Sequence, residues 1–314
     1  MPRCVTAGPL ADPPLGGLVL VDKPAGVTSH DVVAVVRRAA RTRRVGHAGT
    51  LDPFATGLLV LAVGPATRLL AHLDGEPKVY EATIRFGCET DTDDATGTPV
   101  REAPPPLDDL LEEPCHPLRV AAEMTLTGTL SQRPPAFSAK HVDGVRAYAL
   151  ARRGDHVELP AVPVTVYGWR WLGGRPSEVD VEIRCGAGTY IRSLARDLGR
   201  RLGSAAHCAR LRRKASGPLS VTDAIPMGDL APGSLTDGTH AVRSPLGALG
   251  HLTREELSEG QLVAVGQGRS LPASTPGAAG DRGVLVHSGE VVAIAERLAD
   301  DRWQPRVVLR GVAA

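Results

Sequence analysis

Gly46-His47-Ala48-Gly49-Thr50-Leu51-Asp52-Pro53-Phe54-Ala55-Thr56-Gly57-Leu58-Leu59 sets three glycines, one proline and a single acid between an arginine-rich segment and an apolar run. Pro53 disfavours the helical region for Asp52, and its ring fixes its own φ, so the carboxylate is presented from a backbone with few alternatives. Gly46, Gly49 and Gly57 let the chain turn tightly or let a ligand approach the main chain closely. An Asp-Pro pair alone would more often be a turn entering a strand. The whole stretch reads instead as a segment built around its acid.

On its N-terminal side, residues 1–16 are rich in Pro, Ala and Gly and read as a loose arm, after which Leu18 to Val21 forms a short apolar strand. Thr28-Ser29-His30-Asp31 offers a helix start, and Val32, Val33, Val36, Ala39 and Ala40 follow at helical spacing. Leu58 to Val63, ended by Gly64-Pro65, predicts a buried strand. Tyr80, Ala82, Ile84 and Phe86 alternate with Glu81, Thr83 and Arg85, so Tyr80 lies on the apolar face of a further strand. Glu178 to Cys185 repeats the alternation and predicts a half-buried antiparallel strand. Beyond it, Ile191, Leu194, Ala195, Leu198 and Leu202 mark the buried stripe of a helix whose Arg192, Arg196 and Arg200 share another stripe.

Strands before, between and after helices, without a βαβ rhythm, predict an α+β fold with a mixed, mainly antiparallel sheet flanked by helices. We expect this main domain over 17–224, with surface loops at 103–117 and an insertion at about 131–160. A Gly, Pro, Ser and Asp-rich linker is expected at 225–250, and a small β domain at 251–314. Its strands are expected at Leu262–Val265, Gly283–Val286, Val291–Ala295 and Val307–Leu309. Arg297, Arg302, Arg306 and Arg310 of this module form either an auxiliary RNA surface or an ordinary β-domain surface.

The 314 residues suffice for a sizeable core, and 36 basic against 35 acidic residues leave a net charge of +1, with no global excess to announce a nucleic-acid partner. Any such surface must be local. Candidates are Arg37, Arg38, Arg41, Arg43 and Arg44, then Arg192, Arg196, Arg200 and Arg201, then Arg210, Arg212, Arg213 and Lys214. Five cysteines without a C-x-x-C pair disfavour both a disulfide framework and a zinc site, and the adjacent pairs Cys115-His116 and His207-Cys208 read as packing or surface residues. No signal peptide is apparent, and no stretch approaches the roughly 20 apolar residues of a membrane helix. A cytoplasmic protein without membrane, metal or cofactor is expected.

The stretch from Gly46 to Leu59 resembles the signature G-H-x-G-x-L-D-P-x-A-T-G-L-L of the bacterial TruB family of tRNA pseudouridine-55 synthases, and meets it at every fixed position. Reinforcing matches follow in order. They are Asp22-Lys23-Pro24 with Gly26 and Ser29, Lys78 and Tyr80, Gln132 with Pro135, Ser138-Ala139 and Lys140, Gly188-Thr189-Tyr190-Ile191-Arg192, and Leu211-Arg212-Arg213. The resemblance covers roughly 17–220 and implies the pseudouridine synthase fold, with the last module only looking like the small RNA-binding (PUA-like) β domain that commonly ends such proteins. It implies that Asp52 is the nucleophile, that Arg192 pairs with it, and that Tyr80 packs on a flipped uracil. His47 would enter the T-loop of tRNA, Tyr190 and Leu211 would line the uracil pocket, and Lys23 would lie near the site. The arginine runs would hold phosphates of the T-arm stem-loop, a monomer would suffice, and the isomerisation calls for no metal, nucleotide or electron carrier.

Taken singly, most of these residues have bland readings: a surface arginine, a core tyrosine, a structural histidine. The carboxylate could trap the ribose C1′, assist glycal formation or add to C6 of the base. Ala187 and the loop from His141 to Gly144 depart from the family pattern in positions that touch fine RNA contacts. Competing readings are a guide-RNA-dependent pseudouridine synthase, a tRNA-folding helper that binds the T-arm without essential catalysis, and an aspartyl phosphotransferase, for which a magnesium-binding acid cluster is missing.

Overall fold

The computed structural model describes residues 16–106, 113, 115–137, 141–142, 145–146 and 159–309. Nearly all of the expected N-terminal arm, most of the 131–160 insertion and Arg310 lie outside them. In chain order the elements are β1 (Gly17–Lys23), α1 (Ser29–Ala39), β2 (Val45–Ala48), β3 (Thr56–Val63), β4 (Lys78–Phe86), β5 (Cys88–Thr90), β6 (Pro99–Glu102), α2 (Pro117–Thr125), β7 (Gly128–Gln132), β8 (His141–Val142) and β9 (Val145–Arg146). There follow β10 (Val162–Arg175), β11 (Glu178–Cys185), α3 (Ile191–Arg201), β12 (Ala206–Ser216), β13 (Leu219–Ser220), β14 (Ile225–Pro226), β15 (Thr253–Glu256), α4 (Glu259–Gly266), β16 (Leu271–Pro272), β17 (Arg282–His287), β18 (Glu290–Arg297) and β19 (Arg302–Val308). The fold is α+β and mainly antiparallel, with β1–β14 and β15–β17 pairing in parallel.

The chain forms two units. The first comprises residues through Pro53, Gly57–Gly75 and residues from Gly217 on; the second comprises Phe54–Thr56 and Glu76–Ser216. In the first, the continuous apolar run of β1 pairs with β3 from Gly17↔Val63 to Lys23↔Gly57, and β2 lies on β3 with His47 opposite Leu61. Helix α1 starts on a capping box in which the Thr28 hydroxyl accepts from Asp31 N at 3.1 Å and the Asp31 carboxylate accepts from Thr28 N at 2.8 Å. Val32, Val33 and Val36 are buried, each contributing about 1.5–3 kcal/mol relative to exposure.

The C-terminal sheet, ordered β15-β17-β18-β19-β16, belongs to this same unit. Val284 and Val286 of β17 pack with Leu18, Leu20, Leu58 and Val60, while Leu285 between them faces a second core with Val265, Leu271 and Trp303. Alternation along a strand with apolar residues on both faces means both faces are covered. Packing therefore groups the chain differently from the compositional segments expected at 225–250 and 251–314. Leu262–Val265, expected as a strand, lies in the helix α4: four apolar residues are too few to type by period, and the Ser258/Gln261 capping box decides the matter.

In the second unit the strand order is β12-β4-β11-β10-β7, antiparallel throughout. Strand β10 is not announced by alternation, because register shifts between Val166 and Gly168 and between Trp171 and Gly173 break the two-residue period. Helix α3 lies close against β12 through Gly199, where an added Cβ would stand 2.7 Å from Ala206 N.

Candidate active site

Asp52 belongs to the first unit and is half-buried. The backbone on both sides of it is held. Ser29, in the first turn of α1, donates its hydroxyl to Leu51 O at 3.1 Å and accepts from Leu51 N at 3.0 Å, doing with one side chain what a paired strand would do. On the other side, Pro53 O accepts from Gly26 N at 2.8 Å and from Lys23 Nζ at 3.3 Å. Lys23 is fully buried and also donates to Pro24 O at 2.9 Å and Val27 O at 2.8 Å. The lysine expected near the site thus clasps the main chain that presents the acid. Of the three glycines, Gly49 (φ +74°) and Gly57 (φ +98°) adopt the left-handed region, whereas Gly46 leaves space for Leu70. His47, on β2, meets His30 edge-on at 6.2 Å between ring centroids.

Tyr80, Leu211, Tyr190 and Arg192 belong to the second unit. Tyr80 on β4 is buried, 7% exposed, with Ile183 of β11 and Arg213 of β12 as its register partners. Leu211 stands opposite Ala82, so Leu211 and Tyr80 share one face two residues apart. Tyr190 precedes α3 and Arg192 sits in its first turn. Arg192 is 3% exposed; its Nη1 donates to Thr92 O at 2.7 Å and lies 3.5 Å from Asp94 Oδ2, and its Nη2 donates to Phe137 O at 2.9 Å.

The arginine stripe of α3 faces acids as well as the main chain. Arg196 donates to Asp93 Oδ2 at 2.8 Å, and Arg200 grips Glu89 with two bonds of 2.9 and 2.6 Å. Arg192, Arg196 and Arg200 therefore meet Asp94, Asp93 and Glu89, which lie in β5 and the turn that follows it. Arg196, buried against Asp93, is in this way a structural tie and not a phosphate donor. Asp94 is itself held, its Oδ1 accepting from Thr92 Oγ1 at 2.8 Å, Thr96 N at 2.9 Å and Thr96 Oγ1 at 2.6 Å. Burial raises the Asp93 carboxyl to about 6, in spite of the opposing charges of Arg196 and Arg192.

Sequence reading missed these acids. The signal was present: Glu89-Thr90-Asp91-Thr92-Asp93-Asp94 concentrates acids in a short span, and arginines four apart on a helix invite a ladder of partners. The run on β12 is also partly consumed, since Arg213 is buried and Lys214 pairs with Glu81 at 3.0 Å. In the C-terminal sheet Arg297 is buried against Asp301 and Trp303, Arg302 bonds Ser270, and Arg306 pairs with Glu296 at 3.1 Å. By contrast Arg37, Arg38, Arg41 and Arg43 are exposed, and none of the four is ion-paired among the described residues.

This fold is shared with solved Cbf5 and H/ACA structures. The "Crystal Structure of a Cbf5-Nop10-Gar1 Complex" matches with a TM-score of 0.69 at 25% identity, covering 94% of this chain and 85% of the other. An H/ACA RNP bound to a substrate RNA containing 2′-deoxyuridine matches with a TM-score of 0.69 at 22% identity, covering 96% and 91%. The model for the N-terminal domain of TruB family pseudouridylate synthases matches residues 37–191. The tRNA pseudouridine synthase B of Thermobifida fusca (strain YX) is 46% identical over 303 residues, 94% of this chain and 99% of the relative. That of Paenarthrobacter aurescens (strain TC1) is 45% identical over 295 residues, 89% and 91% of the two chains. The chain belongs to the TruB family of pseudouridylate synthases.

Proposed function

We propose that this protein isomerises uridine 55 in the T-arm loop of tRNA to pseudouridine, with the Asp52 carboxylate as its nucleophile. The carrying observation is the double anchorage of the Asp52 loop, by Ser29 on Leu51 and by Gly26 and Lys23 on Pro53. A main chain held on both sides of the acid leaves little to reorganise when its carboxylate is presented. Full-length similarity to tRNA pseudouridine synthase B of several bacteria supports tRNA as the substrate.

In the reaction the bond from N1 to C1′ breaks, the uracil turns, and a bond from C5 to C1′ replaces it. The proton at C5 leaves and N1 gains one, so no redox partner or cofactor is needed. The base must leave the stack to reach the enzyme, at a cost of about a few kcal/mol. His47 takes up the space left in the loop, Tyr80, Tyr190 and Leu211 receive the uracil, and Arg192 holds the carboxylate ionised and oriented. The enzyme acts as a monomer in the cytoplasm, and the exposed arginines from Arg37 to Arg43 hold T-arm phosphates. The tRNA reading is favoured over the guide-RNA-dependent one by the 46% identity to a relative named tRNA pseudouridine synthase B.

The test is tritium release from a T-arm stem-loop labelled at uridine C5, measured beside binding. Asp52→Asn is expected to lower release by about 10⁴-fold or more with RNA affinity kept. Binding by the wild-type chain without release would make it a folding helper, and full release by Asp52→Asn would reject the nucleophile.

A further inference from the structure

Gln132 ends β7 and is buried, with 3% of its surface exposed, although the rest of that strand is open to solvent or only half covered. Its amide is spent on one residue of another element. Oε1 accepts from Tyr190 N at 2.8 Å and Nε2 donates to Tyr190 O at 3.0 Å, the two-bond pattern a neighbouring strand would make. Tyr190 O also accepts from Leu194 N at 3.2 Å, the bond that opens α3.

Helices commonly begin at a Ser, Thr, Asp or Asn whose side chain holds the first backbone donors. At α3 a tyrosine occupies that place, extended at φ −100° and ψ 109°, and its own side chain makes no capping bond. Gly188, two residues earlier, sits at φ +79° with no Cβ to restrict it. The backbone here is thus set from outside, by Gln132. The residues after Gln132 are tied to α3 as well: Arg133 O accepts from Ser193 Oγ at 2.9 Å and Arg196 Nη2 at 3.3 Å, and Phe137 O accepts from Arg192 Nη2 at 2.9 Å.

We propose that Gln132 is a positioning residue for the reaction: by fixing the peptide of Tyr190 at the entrance of α3, it aims the Tyr190 ring and the Arg192 guanidinium without touching the nucleobase. This rests on the roles given above to Tyr190 and Arg192. The amide is needed as donor and acceptor together. Ionised glutamate keeps the acceptor but sets an oxygen against Tyr190 O, whereas protonated glutamate restores the donor at the same length. Methionine keeps the length and supplies neither bond. A cavity of about 450 Å³ lined by Leu130, Gln132, Leu194 and Asp197 adjoins the amide. The charged groups lining that space are Asp197, Arg200 and Arg201, with Arg133 next in the chain.

The test is single-turnover pseudouridine formation on a saturating T-arm stem-loop, with RNA affinity measured in parallel, for Gln132→Glu, Gln132→Met and Arg192→Lys. Gln132→Glu is expected to lose about tenfold or more in rate at about pH 8 and to recover as the pH falls to about 6, a rise relative to wild type, while affinity stays within about threefold. Gln132→Met is expected to stay slow at both. Wild-type rates in both Gln132 variants, a loss confined to affinity, or a Gln132→Glu deficit indifferent to pH would each overturn the assignment. Should Gln132→Met fail to fold, the two pH values compared within Gln132→Glu still decide. A fully active Arg192→Lys would instead refute the role of Arg192.

Discussion

Two arginine-rich helices of this protein look alike in sequence and are used in opposite ways. At the end of α1, Arg37 and Arg38, with Arg41 and Arg43 just beyond, are exposed and make no ion pair among the described residues, although, besides Thr239, Arg41 helps to lower the Asp237 carboxyl. Along α3, Arg192, Arg196 and Arg200 each meet an acid of the segment from Glu89 to Asp94. Charge counting cannot separate an RNA-facing cation from an internal tie. What separates them is whether the fold brings a carboxylate from elsewhere within reach.

The largest effect that could break this contrast lies at Arg192. With its guanidinium on Thr92 O, Asp94 and Phe137 O, Arg192→Lys loses a planar fork that an ammonium cannot replace. Turnover at saturating RNA is expected to fall by about 10²-fold or more with affinity little changed. If affinity fell instead, Arg192 would belong with the α1 set.

Arg196→Met comes next, on stability. Removing one partner of a buried pair costs about 3–5 kcal/mol, readable by denaturant unfolding. The Asp93 carboxyl, raised from 3.8 to about 6 by burial against the pull of Arg196, Arg192 and Arg200 and with Asp197 adding to the rise, sets the pH dependence. The folded state holds this proton to higher pH than the unfolded one, so stability from this group is greatest below about pH 4 and declines as pH rises to about 6. Without Arg196 the carboxylate is harder still to ionise, so the deficit of Arg196→Met should widen from about pH 5 to about pH 8. A deficit constant with pH would mean that Asp93 is not its partner in solution.

The smallest effect is expected on α1. Arg37→Glu combined with Arg41→Glu should weaken T-arm binding by about tenfold and lower the salt-dependence slope by roughly one per site. Arg196→Gln should leave that slope unchanged, because its charge is buried and met by Asp93. Equal slopes for the two variants would erase the distinction.

Much of the core and of the acid-bearing loop was legible because local pattern and local geometry coincide there. β1, α1, β3, β4, β11 and α3 follow from period and capping, and Asp52 from its own glycines and proline. The α4 segment was misread because four apolar residues fit strand and helix equally. β10 was hidden by its bulges. The ties Ser29 to Leu51, Lys23 to Pro53 and Gln132 to Tyr190 join positions far apart in the chain, and no spacing rule reaches them.

The sequence by itself determined which residue is the candidate nucleophile, the α+β character and the family, since these rest on short-range backbone constraints and a contiguous motif. Only the tertiary structure decided which arginines stand in solvent without an ion pair and which meet an acid, and that the C-terminal strands share a core with β1 and β3. Those outcomes depend on long-range pairing: a charge or an apolar face has no fixed role until the fold supplies, or withholds, the group that faces it.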